Sequence, residues 1–184
     1  MHLRLSNALG TAVADRHEER VQGSLSGLLI DPDSGKIEGV YVKVRGIMGS
    51  ENLFCSSADI LSWGKHISIS SSEVLSPSED RVRLRKLVSD PRKILGQKVI
   101  AKSGARLGRC KDIQFDTQKM RLTWIFPKRI RWGVPIPVSD IIEVTQDAII
   151  VRDPERLVKN REIKPSEALE KLKEIAEPGI VKPC

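Results

Sequence analysis

The chain has 184 residues, 40% of them apolar and 30% charged, and carries a net charge of +7, which is the profile of a soluble globular chain with material for one ordinary domain or two small ones. Aromatic residues make up only 4%, so a core must be assembled mainly from Val, Ile and Leu. No apolar run approaches the roughly 20 residues that cross a bilayer, residues 1–9 lack a signal peptide's apolar stretch, and the scattered Cys55, Cys110 and Cys184 offer neither a disulfide framework nor a zinc site. A cytoplasmic protein without metal or cofactor is expected.

Taken from the N-terminus, the first legible elements recur later in the chain. Leu9-Gly10 returns as Leu95-Gly96, Val13 as Val99 and Gly23 as Gly108. Behind that glycine, SLSGLLID (24–31) corresponds to RCKDIQFD (109–116), so that Leu25 meets Cys110, Leu28 meets Ile113, Ile30 meets Phe115 and Asp31 meets Asp116. Ile37 then matches Leu122 and Val40 matches Ile125. ADIL (58–61) matches SDII (139–142), and HISI (66–69) matches AIIV (148–151). A shared order of apolar positions with only small gaps marks a duplication.

Each copy reads as short strands. Leu28 and Ile30, like Ile113 and Phe115, alternate with other residues at the period of a half-buried strand. KIEGVYVKV (36–44) is rich in β-branched residues, and DPDSG (31–35) before it is a turn, so the two runs form a hairpin. The second strand is apolar on both faces: Val40, Val42 and Val44 against Ile37 and Tyr41, and in the other copy Leu122, Trp124 and Phe126 against Ile125. Such a strand needs cover on both sides. Leu25 and Cys110 are out of phase with their strands, so either a bulge lies there or both side chains point outward. In GVPIPVSDI (133–141), Pro135 and Pro137 confine pairing to an edge or a strand start, and Val134, Ile136 and Val138 take the inward register. Leu53 and Cys55 stand for Val134 and Ile136 in the first copy.

Between the copies, residues 76–93 read as a basic linker. Its Arg81, Arg83, Arg85 and Lys86 alternate with Val82 and Leu84; as a strand they form either a nucleic-acid stripe or an ordered linker laid over a module. PKRIRWG (127–133) places Lys128, Arg129 and Arg131 beside Trp132. This fits phosphate contact with stacking, or a solvated hairpin tip whose Trp132 caps the module. The DRHEER run (15–20) reads as a charged surface loop. In the tail, SEALEKLKEIA (166–176) has the apolar stripe of one amphipathic helix.

The LG start, the GRCKDIQFD strand, the apolar second strand and the VPIPVSDI-plus-AIIV ending resemble the PRC-barrel family, which includes the cytoplasmic domain of the photosynthetic reaction-centre H subunit and the C-terminal barrel of the bacterial ribosome maturation factor. The resemblance implies an all-β protein of two tandem small β-barrels with a short C-terminal helix: residues 1–75, the linker 76–93, residues 94–158 and the tail 159–184. It also implies a docking platform without catalytic residues. The expectation is therefore a non-enzymatic adaptor that binds another macromolecule. A protein partner comes first, and RNA or the ribosome, reached through the eight basic and aromatic residues named above, is the alternative. Peripheral membrane contact and self-association stay open.

Overall fold

β-Branched and aromatic residues gather in short runs between turn residues, and in the computed structural model these runs are strands. It describes residues 1–16, 20–46, 49–78, 81–128 and 133–153. Residues 1–151 form one packed unit, and residues 152–184 fall outside it. The tail helix read at 166–176 lies outside the described residues, as do His17, Glu18 and Glu19 of the charged loop.

The first sheet contains β2 (Ala12–Asp15), β3 (Val21–Ile30), β4 (Ile37–Gly46), β5 (Gly49–Ser56), β6 (Ile60–Trp63) and β7 (Ile67–Ile69), in the spatial order β5-β4-β3-β2-β7-β6. The second contains β8 (Lys98–Ala101), β9 (Arg106–Asp116), β10 (Arg121–Lys128), β11 (Ile136–Pro137), β12 (Ile141–Val144) and β13 (Ala148–Val151), in the order β11-β10-β9-β8-β13-β12. The two orders correspond strand for strand. In each sheet a single pair is parallel, Val13 against Ile67 and Val99 against Ile149. The fold is all-β.

Bulges fall at corresponding places too. Gln22, Ser26, Glu38 and Leu61 are the extra residues of the first sheet; Leu107, Lys111, Thr123 and Ile142 are those of the second. Each bulge shifts the alternation by one residue. The bulge at Ser26 and Lys111 explains the out-of-phase residues, because it turns Leu25 and Cys110 inward, where they are buried. The bulge at Glu38 and Thr123 corrects the expected faces of the second strand. Ile37 joins Val40 and Val42 on the inner face, and Leu122 joins Ile125, while Trp124 and Phe126 lie on the outer face. Val134, expected to point inward, is 51% exposed: pairing of the proline-bearing strand is confined to Ile136 and Pro137, which leaves Val134 ahead of the sheet.

The two sheets share one continuous core that includes Val40, Val42, Ile67, Ile113, Phe115 and Ile149, all fully buried. Their junction is self-complementary. The Ile37 amide donates to the Met120 carbonyl and the Leu122 amide to the Gly35 carbonyl, both at 2.8 Å, around a bridge between Lys36 and Arg121. Gly35 and Met120 occupy corresponding turn positions, with φ of +67° and +46°. Glycine adopts this backbone freely; methionine does so at a cost of order 1–3 kcal/mol. Trp63 of β6 also packs edge-on against Phe115 of β9, with centroids 5.4 Å apart.

The N-terminal residues cross over. β1 (His2–Arg4) pairs with β9 of the second sheet, and α1 (Leu5–Ala8) follows, placing Ser6 against Asp112. Residues 2–4 thus add to the second sheet although their sequence precedes the first. The basic run from Arg81 to Lys86, weighed as a strand, is not one. Val82–Leu84 is a 3-10 turn and Arg85–Val88 is α2. Leu, Arg and Lys favour helix, and the ladder contact of the linker with the first sheet is made earlier, at Ser76.

Candidate functional site

The two outer sheet faces differ at corresponding positions. On β4 the outward residues are Gly39 and Tyr41, and on β5 the partner of Tyr41 is Phe54. Phe54 is fully buried and meets Tyr41 edge-on at 5.7 Å. A Cβ on Gly39 would stand 2.3 Å from the Phe54 ring and 2.2 Å from the Cys55 carbonyl oxygen, so glycine is required there for close approach. The chain after β7 closes this edge: Phe54 and Ser76 exchange backbone hydrogen bonds of 2.7 and 3.2 Å. Arg81 then clamps the segment, donating through Nη2 to the Val74 carbonyl at 2.9 Å and through Nε to the Ser76 hydroxyl at 3.2 Å.

On the second sheet the register puts Trp124 where Gly39 stands, and Trp124 pairs with Pro137 as Gly39 pairs with Ser56. Trp124 is 38% exposed. Phe126, two residues on, is half-buried and carries the Arg4 guanidinium over its ring at 3.9 Å. Arg4 Nε also reaches Asp112 at 3.1 Å, and Asp112 accepts from the Ser6 amide and hydroxyl at 3.0 and 2.6 Å. The carboxylate of this face is therefore already compensated. Lys128 ends β10 on the same face and is exposed.

The residues singled out from sequence stand in different surroundings where they are described. Arg129, Arg131 and Trp132 lie outside the described residues. Arg81 is a half-buried structural clamp, whereas Arg83, Arg85 and Lys86 are exposed. Arg83 and Lys86 line a shallow recess that also contains Asp31, Asp33 and Glu38, so that surface is mixed in sign. Arg92 binds Asp33 through two N–H···O contacts of 2.6 and 2.9 Å, and it also holds Asp90. These bonds keep both carboxyls below the usual aspartate range. Asp116 is likewise lowered, by the amides of Lys119 and Gln118. The buried Cys55 and Cys110 thiols are pushed up by desolvation to about 12 and about 11, away from the thiolate that a cysteine nucleophile needs.

Sequence reasoning missed Trp124 as a surface residue. The available signal was the absence of an aromatic at Gly39, but using it required the bulge at Thr123.

The family model of the PRC-barrel domain matches residues 88–158, a stretch that contains every strand from β8 to β13. This part of the chain carries a PRC-barrel domain. No curated protein matches the sequence. The PRC-barrel domain here holds the exposed Trp124 face, and the covered Phe54 face belongs to the part of the chain before the match. Among the described residues no helix is long and apolar enough to cross a membrane.

Proposed function

We propose that the chain is a tandem pair of PRC-barrel-like modules acting as a non-enzymatic docking protein in the cytoplasm, and that it binds its partner through the outer face of the second sheet. The observation that carries the reading is the contrast between Trp124 and Phe54. A large aromatic stands 38% exposed in one sheet, while the corresponding face of the other is closed by the chain's own Phe54 and Ser76. Exposed aromatics set on a rigid sheet are the usual anchors of an interface.

Support for the tandem arrangement comes from the matched strand orders, the corresponding bulges and the self-complementary junction. Three observations favour a non-enzymatic role. The thiols are raised, Asp116 is held in a turn, and Asp33, Asp90 and Asp112 are held by arginines. Free buried thiols fit a reducing compartment. The test is a photo-crosslinking residue placed at Trp124, and separately at Gly27 on the first sheet, in the full chain. A macromolecular adduct from the Trp124 position alone is the expected result. No adduct, or the same adduct from both positions, overturns the reading.

A further inference from the structure

We infer that the docking face of the second sheet takes a single-stranded polynucleotide, held by a row of three cations and a stacking ring; the inference rests on the docking reading above. The row is made by strand register. Lys98 on β8 is the partner of Arg109 on β9, and Arg109 is the partner of Lys128 on β10. Direct cross-strand partners project from the same face. At the spacing of neighbouring strands the row spans roughly 10 Å. All three residues are exposed, and among the described residues none of them is in an ion pair. Arg109 donates through Nη1 to the Gly96 carbonyl at 3.0 Å, which fixes its direction and leaves its other N–H groups for a ligand.

Three like charges in direct register oppose folding. The corresponding row of the first sheet, Ala12, Ser24 and Lys43, holds one cation. The other two positions therefore accept neutral residues, and the sheet does not require the charges. An anionic ligand accounts for them.

The same face supplies the second element of the site. Lys128, Phe126 and Trp124 alternate along β10, whose bulge at Thr123 precedes them, so all three point outward. Trp124 stands about 13 Å along the strand from Lys128, within the reach of a few linked nucleotides. Phe126 already carries Arg4 on its ring, so Trp124 is the ring open to stacking. Asp112, the acid opposite Phe126, is held by Arg4 and Ser6 and does not repel phosphates. A sheet face with one open ring and a phosphate-sized row of cations suits unpaired bases on a charged backbone. A duplex, by contrast, hides its base faces.

The experiment is fluorescence anisotropy of the full chain with labelled oligouridylate and oligodeoxythymidylate of about 12 nucleotides, from about 50 to about 200 mM salt. The two oligonucleotides distinguish RNA from DNA. Binding is expected, and Lys98→Ala/Arg109→Ala/Lys128→Ala should flatten the log–log salt slope by roughly 2 units. Trp124→Ala should weaken binding at least about fivefold with the slope retained. Lys43→Ala on the first sheet should change affinity by less than about twofold. Replacing the row relieves like-charge repulsion, so the triple variant should melt no lower than wild type. Absence of binding to both oligonucleotides at the lowest salt overturns the inference, as does a triple variant with an unchanged slope. Binding to vesicles of anionic lipid without binding to either oligonucleotide also overturns it. If the oligonucleotides fail while the Trp124 crosslink persists, the docking reading stands and only the ligand class falls. If both fail, the docking reading falls too.

Discussion

At Gly39 in the first sheet and at Trp124 in the second, one position of one strand pair is filled in opposite ways. The first sheet takes its aromatic from the edge strand as Phe54, leaves no side chain at Gly39 where the ring lies, and seals the edge with the returning chain at Ser76. The second takes its aromatic from β10 as Trp124 and, among the described residues, pairs its proline-bearing edge through Ile136 and Pro137. The aromatic is thus a core residue in one sheet and a surface anchor in the other. Beneath these faces the layers match: Leu25 and Cys110 are both buried, as are Cys55 and Ile136. The lesson is that backbone correspondence sets the inner layer, and that outer faces diverge through volume exchange and through the chain that follows.

The largest expected effect tests that contrast directly. Phe54→Ala should cost about 3–5 kcal/mol in urea denaturation, as should Phe115→Ala in the shared core. Trp124→Ala should cost less than about 1 kcal/mol. A Trp124→Ala loss equal to that of Phe54→Ala would mean that Trp124 is packed and that the two faces do not differ.

The inner layers should behave alike. With Cys184 replaced by Ser, both remaining thiols should react with a disulfide reagent near pH 8 at least about a hundredfold more slowly in the native protein than in denaturant. Burial holds Cys55 at about 12 and Cys110 at about 11. Rapid native labelling of one thiol would show that its sheet opens and would limit the correspondence to the other.

Gly39→Ala comes next, at about 1–3 kcal/mol of overpacking, because the new Cβ collides with the Phe54 ring and the Cys55 carbonyl. Adding Phe54→Ala relieves only the ring contact, so the two losses should be less than additive in a double-mutant cycle. Strict additivity would separate the glycine from the ring.

The smallest effect concerns the Arg92 cluster. Asp33 and Asp90 titrate below their ordinary value in the folded chain. Their contribution is therefore present above the unfolded aspartate pKa and is lost as pH falls through the depressed folded values. Melting temperature should decline from about pH 5 downward more steeply in wild type than in Arg92→Ala. Parallel curves would show that the cluster adds nothing to stability.

Much of the inner layer was legible in the sequence. Ile113 and Phe115 alternate and are buried; the wrong phase of Leu25 and Cys110 left a bulge or an outward turn open, and Pro135 and Pro137 an edge or a strand start. The outer faces were harder to read. Trp124 lies among apolar neighbours, and its side of the sheet turns on the extra residue Thr123, which no local pattern marks. The Arg81 run alternates like a strand yet folds as helical turns, because a strand needs a partner edge and a short helical turn does not.

By itself the sequence determined the all-β class and the turn at DPDSG, since apolar period, glycine placement and Asp side-chain bonding act over a few residues. Only the tertiary structure decided which aromatic is covered, that His2–Arg4 adds to the far sheet, and that Lys98, Arg109 and Lys128 stand in one row. These depend on register between strands distant in the chain. Register is set by hydrogen bonding and bulges summed over a whole sheet, and no single segment carries that information.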